Sequence, residues 1–239
     1  MSWQGRLALR YWRDGARTLA HDVHEGPLRV LKALYPEGDA VCHHVMVHPP
    51  GGIAGGDRLD VDVVVEPGAH ALITTPGATR YYRSSGAAAA QAVQMHVQRE
   101  ARLEWLPMAS IAYDGCIAEN SVRFMLDAGA QMIGLDLVVL GLPASDAPFS
   151  SGRFTQHLEW PGQWLERGVI EASDARLLQS PLGLGGHKVM ATLWCASGNA
   201  FSTTQREALL DTARDGAGAL EGSTAPAPGL VLWRALGDA

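Results

Sequence analysis

Apolar and polar residues alternate along most of this chain, and a period of two marks strands with one buried face. In Gly5–Trp12, Leu7, Leu9 and Tyr11 fall on one side and Arg6, Ala8 and Arg10 on the other, with Asp14-Gly15 as the following turn. Val41–His48 divides into Val41, His43, Val45 and Val47 against Cys42, His44, Met46 and His48. The second set lines up possible metal donors. Neighbours two apart on a strand are about 7 Å distant, so four cannot share one ion, and a strand edge with surface imidazoles is the plainer reading. Leu59–Val65, Gln91–Gln98, Ser121–Leu126 and Met132–Leu140 continue the alternation, and Arg153–Trp160 with Trp164–Glu171 reads as a hairpin across Pro161-Gly162. Ala175–Leu178 and Lys188–Cys195 read as two more strands, and the tail as a linker before a last strand. Helical signals concentrate in Thr203–Arg214, where Ser202 or Thr203 can cap, Glu207 can close a capping box with Thr204, and Gly216 can stop the helix.

A small echo organises the middle of the chain. VEPGAHALI from Val65, VQREARLEWL from Val97 and LDAGAQMIGL from Leu126 share one plan, with Ala69, Ala101 and Ala130 in equivalent places, 32 and 29 residues apart. Period-two segments divided by turns at near-regular spacing predict stacked strands. The expected fold is therefore mainly β: a layered, β-solenoid-like stack of antiparallel strands and hairpins, with one or two short helices near the C-terminus. Residues 1–239 are expected to form a single domain.

Composition narrows the function classes. A net charge of −6 argues against a nucleic-acid partner, which asks for a basic stripe. No run of about 18 apolar residues suggests a membrane span, and the start, MSWQGRLALRYWRDG, lacks a secretory h-region. Cys42, Cys116 and Cys195 are too far apart for a CxxC motif and are odd in number, which fits a reduced, cytoplasmic setting.

The densest backbone specification lies in Pro49–Gly56, where four glycines and two prolines precede Asp57-Arg58. A phosphate-binding loop would need Lys-Ser/Thr where Asp57-Arg58 stand, and no βαβ alternation surrounds the segment. Neither a GxSxG elbow nor an HExxH helix is present. Glu104, in LEWLP, should lie opposite Leu103 and Trp105 on its strand.

Three segments together resemble one family, the urease accessory protein UreD (also called UreH). They are Pro49–Asp57, matching PPGG-x-x-GGD; Thr74–Ser84, matching T-x-P-x-A-T-[KR]-x-Y-R-S; and Leu103–Pro107 with Ile111–Gly115, matching LEWLPQE-x-I-x-[FY]-[DN]-G. Asp136 with Leu140-Gly141, and Leu165-Glu166-Arg167, are weaker matches. Met108-Ala109 replace the family's Gln-Glu, and Leu142 stands in place of its arginine.

The resemblance implies a non-enzymatic scaffold that binds apo-urease and joins UreF and the GTPase UreG, so that nickel reaches the urease active site. No tightly bound cofactor is implied, only transient Ni²⁺. A weakly binding route would favour carboxylates, and Asp57, Glu104, Asp114 and Asp136 are the candidates. Asp57 capping its loop and Asp114 forming the Asp-Gly turn are the plain alternatives. Arg80, Tyr82 and Arg83 are expected to brace the loop or meet a partner. Two other functions stay open: a divergent paralogue that binds a partner without transferring nickel, and a metal-assisted hydrolase using His43, His44 or His48.

Overall fold

The computed structural model describes residues 2–238. β1 (Gln4–Asp14) and β2 (Arg17–Glu25) form an opening hairpin, followed by β3 (Arg29–Val30) and β4 (Val41–Val47). Three coils of similar plan come next: β5 (Gly52–Ile53), β6 (Arg58–Val65) and β7 (His70–Thr74); β8 (Thr79–Tyr81), β9 (Ala89–Val97) and β10 (Arg102–Leu106); then β11 (Ser110–Ala112), β12 (Cys116–Leu126) and β13 (Gln131–Leu140). The remainder comprises β14 (Gly152–Trp160), β15 (Trp164–Glu171), α1 (Ala175–Gln179), β16 (Val189–Ser197), α2 (Thr203–Arg214), β17 (Glu221–Ala227) and β18 (Leu230–Gly237).

Each coil lays its strands on the matching strands of the coil before. One face is a seven-stranded sheet in the order β15-β14-β12-β9-β6-β1-β2. The other main sheet runs β17-β18-β16-β13-β10-β7-β4-β3, and the short strands β5, β8 and β11 form a third face joined to it through β13. The mainly-β, solenoid-like architecture is as the alternation predicts. The pairing sense within the stack is not: β4, β7, β10 and β13 run parallel, as do β1, β6, β9, β12 and β14. A coil returning to the same face comes back in the same direction, and alternation is blind to that. Antiparallel pairing is kept for the flanks, as in β1–β2, β14–β15 and β16–β18.

The echo marks the corners of the coils. Ala69, Ala101 and Ala130 are all buried. The residue before each, Gly68, Glu100 and Gly129, has a left-handed φ of 72°, 58° and 75°. The Arg102 N–H donates to the Ala69 carbonyl at 2.9 Å, and the Gln131 N–H to the Ala101 carbonyl at 3.0 Å, so the alanines stack rung on rung. Only a small side chain fits where successive corners press together.

Between the two main sheets the inward residues form one apolar core from Leu7 to Leu232. Its bulkiest part stacks Phe124 of β12 on Trp194 of β16, with centroids 5.8 Å apart and planes within 3°. Gly134 of β13 lies against the same indole; a Cβ there would stand 2.1 Å from it.

Three local expectations are corrected. Ala175–Gln179 is a helix, capped by Asp174, whose carboxylate accepts from the Leu177 N–H at 2.9 Å. The α2 capping box is made by Ser202 and Gln205, two residues earlier than Thr204 and Glu207. The tail is a hairpin, because β17 pairs antiparallel with β18 as an edge strand of small residues. Among the described residues no helix is long and apolar enough to cross a membrane.

Candidate functional site

The segments Pro49–Asp57, Thr74–Ser84 and Ile111–Gly115 converge on the third face. β5 pairs with β8, placing Gly52 opposite Arg80 and Ile53 opposite Tyr81, and β8 pairs with β11, placing Arg80 opposite Ile111. The glycine loop owes its shape to two needs. Gly51 and Gly56 take left-handed φ values of 76° and 93°, which side chains resist. Gly52 lies under the Tyr82 ring, where a Cβ would stand 2.3 Å from Cε2. Tyr82 in turn meets Tyr113 edge to face at 5.2 Å.

The acids of this face are engaged locally. The Asp57 carboxylate accepts from the Trp3 N–H at 2.7 Å and the Ala54 N–H at 3.0 Å, tying the loop exit to the chain start. Asp114 accepts from the backbone N–H and hydroxyl of both Ser150 and Ser151, between 2.8 and 3.0 Å, and pairs with Arg83. Those hydroxyls and amides, Ser150 foremost, hold the Asp114 carboxyl down at about 2. Gly115, next to it, has φ 77°, completing the Asp-Gly turn. Arg83 is thus engaged within the face by Asp114. Arg80 is exposed on the rim of a groove that also contains His48, Gly51 and Gly77.

Asp136 sits elsewhere, inside the stack. Gln91, Asn120 and Gln156 are in register on β9, β12 and β14 and face inward. The Gln91 side-chain amide reaches the Asn120 carbonyl oxygen at 3.4 Å. From the opposite sheet, the Asp136 carboxylate accepts from Asn120 Nδ2 at 3.0 Å and from Gln156 Nε2. Burial pushes the Asp136 carboxyl up to about 7, against the pull of the two amides. The buried amides escaped notice in the sequence because each occupies an apolar slot of an alternating strand; that parity was the available signal.

Glu104 occupies the outer surface of β10, with Leu103 and Trp105 buried on the other side, as its alternation predicts. It accepts from or shares a proton with His70 Nε2 at 2.8 Å. Both border a hollow of about 490 Å³ between the sheet and α2, with Ile133, Cys195 and Leu209 among its walls. The four carboxylates therefore lie in four settings: two loop caps, one outer-face pair and one interior ladder.

The strand Val41–Val47 corrects the expectation of surface imidazoles. Cys42, His44 and Met46 point into the core, and His44 Nδ1 is 2.8 Å from the Tyr11 hydroxyl. His43 pairs outside with Glu37 at 2.7 Å, and His48 belongs to the groove by Arg80. Among the described residues no three His, Cys, Asp or Glu side chains gather in a metal-binding group.

The chain matches the family model described as UreD urease accessory protein over residues 4–239. It is 55% identical over 243 residues to the urease accessory protein UreD of Leptothrix cholodnii, a match covering 99% of this chain and 87% of that protein. The corresponding proteins of Albidiferax ferrireducens and Paracidovorax citrulli are each 52% identical over 241 residues, with the same coverage.

Proposed function

Because this chain belongs to the UreD family of urease accessory proteins, we propose that it acts in urease maturation as a scaffold without catalytic chemistry of its own. It binds apo-urease and, with UreF and the GTPase UreG, supports insertion of nickel into the urease active site. The family match over residues 4–239 carries this reading. The meeting of Pro49–Asp57, Thr74–Ser84 and Ile111–Gly115 on one face supports it, since a docking surface needs a shaped backbone more than a reactive group. Three free cysteines favour the cytoplasm as the place of work.

Nickel is cargo in this proposal. Asp57, Glu104, Asp114 and Asp136 belong to a polar route of weak sites, and their surroundings differ in how well they suit it. Glu104, beside His70 on the outer surface, has the setting that favours passing contacts, whereas Asp136 is buried with both carboxylate oxygens accepting from amides. Asp57 and Asp114 are occupied by backbone amides, which favours their role as loop caps.

Co-purification tests the scaffold reading: the tagged chain should retain UreF and urease subunits from a urease-producing cell, and recovery of the chain alone would contradict it. Asp57→Ala separates route from cap. As a cap, its loss lowers Tm while urease maturation per folded molecule stays normal; as a route member, it lowers maturation at unchanged protein level.

A further inference from the structure

The two arginines of the Thr79–Ser84 segment have different employments. Arg83 is held by Asp114. Arg80 is exposed and, among the described residues, its guanidinium makes no hydrogen bond or ion pair. It lies beside Gly51, with Nη1 4.0 Å from the place a Cβ would occupy, on the wall of a groove of about 240 Å³.

The groove is shaped in advance. The Thr75 hydroxyl donates to the Gly77 carbonyl at 3.0 Å and accepts from the Met108 N–H at 2.9 Å, which fixes the Pro76-Gly77-Ala78 wall. The amides of Gly77 and Ala78, next along that wall, donate no hydrogen bond among the described residues. His48 lines the groove too, and burial lowers its pKa from the ordinary imidazole value, which leaves Arg80 as the lasting cation. The neighbouring acids do not neutralise it: Asp57 faces the Trp3 and Ala54 amides, and Asp114 faces Arg83 and the serines.

We propose that this groove receives a carboxylate of a partner polypeptide, gripped by the Arg80 guanidinium, with the free amides of Gly77 and Ala78 as further donors. A planar guanidinium matches the two oxygens of a carboxylate in a fork-to-fork pair. A phosphate dianion fits less well, because the groove has one arginine, no lysine and no helix start, in a chain of net charge −6. The identity of the partner as a component of urease maturation rests on the reading above; the chemistry of the groove does not.

Amide-resolved NMR of the full chain tests it, with capped tetraglutamate as one probe and inorganic phosphate as the other. The expected result is saturable shifts at Gly51, Gly77, Ala78 and Thr79 with the peptide. Affinity should fall about tenfold or more in Arg80→Gln and stay unchanged in Arg99→Gln, an exposed arginine elsewhere. Absence of those shifts, indifference to Arg80→Gln, or tighter binding of phosphate than peptide would overturn the proposal. Co-purification is read alongside. If the native chain retains urease components and Arg80→Glu retains them equally, the groove inference falls while the scaffold reading stands. If the native chain retains none, the scaffold reading falls and the NMR result decides the groove alone.

Discussion

Asp136 is the residue whose chemistry the fold alters most. Its folded carboxyl titrates near 7, whereas an unfolded aspartate titrates near 3.8. Between those values the unfolded chain has lost a proton that the folded chain keeps, so this group's contribution to stability declines as pH rises from about 4 to about 7 and is flat beyond. Asp136→Asn removes that dependence. The difference in Tm, variant minus native, should grow from pH 5 to pH 7 and level off by pH 8; a difference independent of pH would contradict the burial argument. Gly52 gives a steric counterpart. Gly52→Ala drives a methyl into Tyr82 and should cost about 1–3 kcal/mol in denaturant unfolding. The sequence announced Gly52 through its crowded loop. For the Asn120–Gln156 cradle it offered only parity, and a polar residue in one apolar slot reads as noise until the opposite sheet supplies its acid.

At the scale of elements, the corner alanines are the clearest case of legible structure. Their spacing was visible as an echo, and their meaning is a stack of left-handed corners each followed by a buried small residue. Glu100 is the one corner without glycine, at φ 58°. Glu100→Gly should therefore be neutral or stabilising by up to about 1 kcal/mol, while Ala101→Leu, overpacking the same corner, should lower Tm sharply. Thermal unfolding of the pair checks both signs. Other elements were hidden for reasons that are also physical. Residues Ala175–Gln179 form too short a helix to show a 3.6-residue period, and β17 carries Gly222 and Pro226, which suit an edge strand and disguise it as a linker.

For the whole molecule, alternation conveyed the β class and the stacking but was silent on strand direction, which depends on how a coil closes rather than on any residue's polarity. The candidate site divides in the same way. The motif segments were legible as motifs; that they pack side by side as β5, β8 and β11 follows from the coil period alone. Seen at this scale, the protein is a stack of coils that presents one shaped loop face, encloses a neutral-to-anionic ladder within, and keeps α2 on its flank with no buried residue. Such a body suits holding partners in register. The most direct test is urease specific activity, with nickel content of the purified urease, in cells whose own UreD-type gene is deleted and replaced by this chain. The account predicts nickel-loaded, active urease with the chain present and nickel-poor, inactive urease without it. Equal activity and nickel content in both cells would contradict it.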